Sequence, residues 1–454
     1  MGRSRLYNGR KASKQAVGGF HLPDQTYYLY TFGCQMNEHD SEVAAGLLEG
    51  MGYCRVEDPG VAALVLLNTC CVRASAEQKV FSLLGRLAGK PGRLVAVGGC
   101  MAQREGMAAQ LRRRFPAVRL IFGTHALPRL PELVTRAAAG ELVVAIEETT
   151  GRPEDLPVRR SAGIRAWVPI TYGCNNFCTY CVVPLVRGRE RSRPPAAVAA
   201  EVERLALEGY REITLLGQNV NSYGRDLSPG TDLALLLESL DPCDGILRLR
   251  FLTSHPRDLD DRLIAAVAAL PKVCEHFHLP AQSGSDRILK LMHRGYTRQG
   301  YLDRLRRIRL AIPDAAVTTD LIVGFPQETD EDFAATLSLV EEAGFDAAFT
   351  FVYNTRPGTP AATMDGQVPE SVKKERIAAL IELQNRISLT RNESLVGRVE
   401  EVLVESAGTD MALFGRTRGN RAVSFRGEPS LVGELRPVRI LRAGPQALAG
   451  DVAG

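Results

Sequence analysis

At 454 residues the chain exceeds what one hydrophobic core usually supports, so two or three domains are expected. Its 56 basic and 52 acidic residues nearly cancel at a net charge of +4, which excludes a polycation; any nucleic-acid contact has to come from local patches. Ten cysteines are too sparse for a disulfide scaffold, and their clustering points to metal ligation in a reducing, cytoplasmic compartment.

The first 23 residues carry Arg3, Arg5, Arg10, Lys11 and Lys14 without an acid. Weak apolar content favours a disordered basic extension over residues 1–25 rather than an organellar transit peptide. A secretory apolar core is lacking, Leu6 breaks the myristoylation pattern begun by Gly2, and no apolar run reaches the roughly 20 residues that span a bilayer. The expectation is a chain that makes no use of a membrane.

Across residues 26–140, short apolar runs at Tyr27–Phe32, Ala63–Leu67, Leu94–Val97 and Arg119–Phe122 alternate with helical patterns such as Ser41–Met51 and Ala74–Leu87. This alternation predicts a Rossmann-like parallel sheet covered by helices. Three of the strands run into Gly33-Cys34, Asn68-Thr69-Cys70 and Gly98-Gly99-Cys100. Ligands gather beyond the carboxyl ends of such strands, so the topology itself would unite Cys34, Cys70 and Cys100 as a three-thiolate site. A free cysteine is commonly just a small buried hydrophobe, and Cys54, Cys243 and Cys274 are read that way. Cys71 adjoins Cys70; neighbouring side chains at a strand end rarely point into one site, so one should ligate while the other packs.

Residues 141–160, with Glu147, Glu148, Gly151, Pro153 and Pro157, read as a linker. Six further strands follow over residues 161–391: Trp167–Thr171, Glu212–Leu216, Leu247–Leu252, His276–Leu279, Val317–Val323 and Ala347–Val352, with helices between them. They predict a partial (β/α)6 barrel whose functional groups lie on loops after the strands. Just beyond the first, Cys174, Cys178 and Cys181 place three thiolates within eight residues. That spacing suits an iron-sulfur cluster with one iron left open. Zinc is the alternative, but its structural sites usually draw on two separated ligand pairs, and no second tight pair follows. Gly217, Gln218, Asn219, Gln282, Ser283 and Gly324 fall at later strand ends and are candidate cofactor contacts, although such residues populate turns anyway.

Beyond Arg391 the pattern becomes short strands, at Val399–Glu405, Ala412–Thr417, Ala422–Arg426 and Leu435–Leu441, which predicts a small OB-like β-barrel over residues 392–445 and a tail over 446–454. Seven arginines against two acids lie between Ala412 and Arg442. Such a face could hold a phosphate backbone or simply be solvated. Arg416, Arg418 and Arg421, around the Gly415–Asn420 turn, are expected on an open surface and are the RNA-binding candidates.

Taken in order, Thr31-Phe-Gly-Cys-Gln-Met-Asn37, Asn68-Thr-Cys70, Gly99-Cys-Met-Ala-Gln103, the Cys174 triad with Tyr180 before its last cysteine, and the basic terminal barrel resemble the methylthiotransferase family of radical S-adenosylmethionine (SAM) enzymes. Further strings are Val182-Val-Pro-Leu-Val-Arg-Gly-Arg-Glu-Arg-Ser-Arg193, Thr253-Ser-His-Pro256, His278-Leu-Pro-Ala-Gln-Ser-Gly-Ser285 and Arg294-Gly-Tyr-Thr297. These look most like the branch that methylthiolates carbon 2 of N6-isopentenyladenosine beside the anticodon of tRNA. The resemblance implies that Cys174, Cys178 and Cys181 hold a 4Fe-4S cluster that binds and reduces SAM, with Tyr180 beside it. It also implies an auxiliary 4Fe-4S cluster on Cys34, Cys70 and Cys100, a TRAM domain that binds RNA, a reductant protein and a sulfur donor. Cys71 and the string Arg73-Ala-Ser-Ala-Glu77 depart from the family pattern. Two rivals stand beside this reading: a sibling methylthiotransferase acting on threonylcarbamoyladenosine or a ribosomal-protein aspartate, and a non-catalytic RNA-binding iron-sulfur sensor.

Overall fold

The computed structural model describes residues 25–71, 74–87, 92–148, 156–160 and 163–453. The basic extension and the middle of the expected linker lie outside them. Strands β1 (Thr26–Thr31), β2 (Cys54–Arg55), β3 (Leu64–Thr69), β4 (Leu94–Gly99), β5 (Val118–Phe122) and β6 (Val143–Ala145) form one parallel sheet in the order β2-β1-β3-β4-β5-β6. Every residue of β3 is buried, as expected of a central strand covered on both faces. Helix Gln35–Gly50 packs Val43, Ala44, Leu47 and Leu48 onto one face, while Val80, Leu84, Met101 and Leu111 cover the other. β6 corrects the linker expectation: its first residues pair with β5.

The second region carries β7 (Arg165–Pro169), a small hairpin of β8 (Thr171–Tyr172) and β9 (Arg191–Ser192), β10 (Glu212–Leu216), β11 (Arg248–Leu252), β12 (His276–His278), β13 (Ala316–Val323) and β14 (Ala347–Val352). Parallel sheets β7-β10-β11 and β12-β13-β14 are bridged at Leu249 and Val273, giving the partial barrel. Its helices are firmly bounded; Asp330–Ala343 begins with a Thr329–Asp332 capping box and ends at left-handed Gly344.

The last region is a closed five-stranded barrel of β15 (Val399–Ala407), β16 (Ala412–Thr417), β17 (Ala422–Arg426), β18 (Leu435–Ala443) and β19 (Ala447–Val452). β19 overturns the expected tail, because it pairs with both β17 and β18 and closes the barrel. The expected open arginine surface is also corrected. Arg418 bonds Glu275 at 2.7 Å and the carbonyls of Pro271 and Val273; Arg421 pairs with Asp346 and reaches Asn392; Arg416 lies 3.4 Å from Glu405. From the partial barrel, Arg248 and Arg250 donate to the carbonyls of Arg416, Thr417 and Arg418. The turn therefore docks under the amino ends of the barrel strands, because backbone carbonyls and buried guanidinium groups satisfy one another there. Among the described residues no helix is long and apolar enough to cross a membrane.

Candidate functional site

Register brings the first three cysteines together. Thr31 pairs with Asn68, and Thr69 with Gly99, so β1, β3 and β4 end side by side; Cys70 and Cys100 follow immediately and Cys34 three residues beyond Thr31. A buried amide network fixes these ends: Asn37 Nδ2 donates to Asn68 Oδ1 and the Thr69 carbonyl, while Asn68 Nδ2 donates to the Asn37 carbonyl and Ser41 Oγ. Gly33 is left-handed, and a Cβ there would stand 2.7 Å from Cys70 Cβ. Only glycine lets the two cysteine-bearing turns approach so closely.

Cys71 is buried as well and packs against Cys100; that contact and then burial push the Cys71 thiol up, while the same contact, against the effect of burial, holds Cys100 below its usual value. Both cysteines pack with Val182 and Val186, which belong to the partial-barrel region. Arg187 reaches the same place, with Nη2 at 2.6 Å from Asp40 Oδ2.

The second trio sits on the loop after β8. Gly173 is left-handed, and a Cβ would strike the carbonyls of Arg189 and Gly188; Phe177 also adopts positive φ. Cys174 N bonds the Gly188 carbonyl, Cys181 N the Cys178 carbonyl, and Thr179 N the Met292 carbonyl. Cys174 and Cys178 are buried, and burial, reinforced by Cys178 and Cys174, pushes the Cys181 thiol up to about 12. Arg294, 4% exposed, aims Nη1 at Cys178 Sγ at 3.2 Å and at Tyr180 Oη at 3.4 Å, and donates Nη2 to the Pro280 carbonyl. A buried guanidinium is costly without an anion, and a metal-bound thiolate supplies one. Three thiols in each trio are the donor type that an iron-sulfur cluster takes, one thiolate per iron.

Of the candidate cofactor contacts, Gln282 adopts positive φ and buries Oε1 without a hydrogen-bond partner. Asn219 lines a cavity of about 140 Å³ beside the Cys174–Cys181 loop, shared with Asn176, Glu190, Arg257 and Asp258. Its own amide is occupied, donating to Asp258 and accepting from His255 N. Ser283 is tied to Thr336 and Ser285, and Gly324 makes room for the Lys373 side chain, so both have structural duties. Gly217 packs against Thr171, and Gln218 follows it at the end of β10. Tyr180 joins the apolar cluster of Ile288, Met292, Phe325 and Tyr353. Spacing alone missed Arg187 and Arg294, although both lie within strings that mark the family resemblance.

The partial barrel, with three cysteines on the loop after its first strands, defines a radical SAM enzyme, and the Radical SAM superfamily profile matches residues 168–340. The Uncharacterized protein family UPF0004 matches residues 26–123 and the TRAM domain residues 393–453. In fold the chain is similar to the radical SAM methyltransferase TsrM from Kitasatospora setae, with a TM-score of 0.55, 16% identity and coverage of 75% of this chain and 74% of that one. Much nearer in sequence is the tRNA-2-methylthio-N(6)-dimethylallyladenosine synthase of Pelotomaculum thermopropionicum, 59% identical over 93% of this chain and 97% of that protein. The synthase of the same name from Desulforamulus reducens is 53% identical over 94% and 95%. The chain belongs to this family of tRNA methylthiotransferases.

Proposed function

We infer that this chain methylthiolates carbon 2 of N6-isopentenyladenosine beside the anticodon of tRNA, using SAM. The observation that carries the reading is the near-complete coverage of synthases bearing that name. Carbon 2 of adenine bears a hydrogen that no side-chain base can remove at neutral pH, so radical chemistry is required. When bound, a 4Fe-4S cluster and SAM supply that radical and the methyl group, while the protein orients them and excludes competing reactions.

The residues divide this work. Cys174, Cys178 and Cys181 are proposed to hold the SAM-cleaving cluster, and Cys34, Cys70 and Cys100 an auxiliary 4Fe-4S cluster concerned with sulfur. Gly173 and Phe177 bend the loop that carries the three sulfurs, and Arg294 keeps positive charge against Cys178. Gln282 Oε1 and the cavity beside Asn219 offer polar contacts to SAM, with Tyr180, Gly217, Gln218, Ser283 and Gly324 shaping the surroundings. A reductant protein and a sulfur donor are further proposed partners. RNA contact is assigned to the exposed Arg426, Arg439 and Arg442 and the half-exposed Phe414, whose ring can stack on an unpaired base. The test is nucleoside mass analysis of tRNA from cells lacking the chain. Loss of 2-methylthio-isopentenyladenosine, restored by the wild-type chain, is expected; its persistence while another methylthio product disappears overturns the substrate.

A further inference from the structure

Arg187 ends the short helix Val183–Arg187, which begins two residues after Cys181, yet its side chain is buried against the other domain at 6% exposure. Its Nη2 lies 2.6 Å from Asp40 Oδ2, the preceding Val186 packs in one cluster with Cys71 and Cys100, and the guanidinium charge is near enough to act on Cys100 and Cys34. The backbone is pinned at the same point. Thr124 Oγ1 donates to the Val186 carbonyl, and a Cβ on left-handed Gly188 would come within 3.2 Å of the His125 ring. A single carboxylate accepts only part of what a five-donor fork can give, so donors are left over beside the helix that opens with Cys100.

We propose that Arg187 is a positioning residue for the N-terminal cysteine site, holding a fixed positive charge against the thiolates of Cys34 and Cys100 and the cluster they carry. The inference rests on the reading that this site holds a 4Fe-4S cluster. A cation in a buried, low-dielectric setting interacts strongly with nearby charge. Asp40 orients the guanidinium, and the remaining donors stabilise sulfur-borne negative charge. Because Arg187 comes from the loop that also carries Cys174, Cys178 and Cys181, the N-terminal site is electrostatically complete only when the two domains are docked. One short helix thereby links the two cysteine trios.

Reduction adds negative charge, so a fixed cation favours the reduced cluster and its removal lowers the potential. The measurement is a redox titration followed by electron paramagnetic resonance, on the full chain with Cys174, Cys178 and Cys181 changed to alanine and reconstituted with ferrous iron and sulfide. Failure of that parent to bind iron and sulfide overturns the cluster reading and the inference with it. Given a loaded parent, Arg187→Gln is expected to shift the reduction equilibrium at least tenfold toward the oxidised state, about 59 mV for one electron. Arg187→Lys should restore most of it. If Arg187→Gln loses the cluster while Arg187→Lys keeps it, the need for charge is upheld. An unchanged potential in Arg187→Gln, or equal loss of the cluster from both variants, overturns the proposal and leaves Arg187 a packing residue.

Discussion

Cys174, Cys178 and Cys181 are set by one loop, whereas Cys34, Cys70 and Cys100 meet only because β1, β3 and β4 are neighbours in register. The local trio owes its shape to a few backbone conformations, chiefly at Gly173 and Phe177, together with the hydrogen bonds that pin Cys174, Thr179 and Cys181. The distant trio owes its shape to a sheet, so a slip of one residue in any strand would turn its cysteine away. Each has a buried arginine at its sulfurs, but Arg294 comes from the same domain and Arg187 from the other. The local site should therefore withstand disturbance of the domain contact better than the distant one.

The largest effect expected is from Cys178→Ala, which removes the thiolate that Arg294 addresses and uncovers an iron. Both 5′-deoxyadenosine formation and methylthiolation should fall below detection, measured by chromatography of reduced protein with SAM and by nucleoside mass analysis. Retention of SAM cleavage would remove the triad from the chemistry. Next come Cys34→Ala, Cys70→Ala and Cys100→Ala. Each should abolish methylthiolation while SAM cleavage continues, since the other cluster is held by a separate loop. Loss of SAM cleavage in all three would show that the two sites do not assemble independently.

Much of this architecture is legible in the sequence because strand, turn and cysteine follow one another locally. Both trios, the parallel sheet and the six barrel strands can be read from periodicity and from Gly or Asn-Thr turns. What escapes is whatever depends on distant partners. Arg187 and Arg294 look like solvated side chains until the fold buries them against sulfur, and the Arg416–Arg421 run looks like an open basic face until Glu275 and Asp346 come to meet it. β19 escapes for another reason: Ala447–Val452 contains two alanines and a glycine, too little apolar alternation to announce a strand. Its pairing with β17 and β18 is imposed by barrel closure.

The finest distinction within the comparison lies at the Cys70–Cys71 pair, which has no counterpart in the local trio. Cys70 follows Thr69 directly and lies against Gly33, beside Cys34; Cys71 turns toward Cys100, Val182 and Val186 and takes part in the domain contact. Cys70, which the family resemblance places as the ligand, is proposed for that role, and Cys71 is proposed as a packing residue. Cys71→Ala should leave iron and sulfide content and methylthiolation close to wild type and cost about 1 kcal/mol of stability, the ordinary effect of trimming a buried side chain. Cys70→Ala should empty the N-terminal site. Iron analysis of both variants in the background lacking Cys174, Cys178 and Cys181 isolates that site, and thermal unfolding separates loss of a ligand from loss of packing. If Cys71→Ala empties the site while Cys70→Ala spares it, the packed pair Cys71 and Cys100 marks the ligands, and the two adjacent cysteines exchange roles.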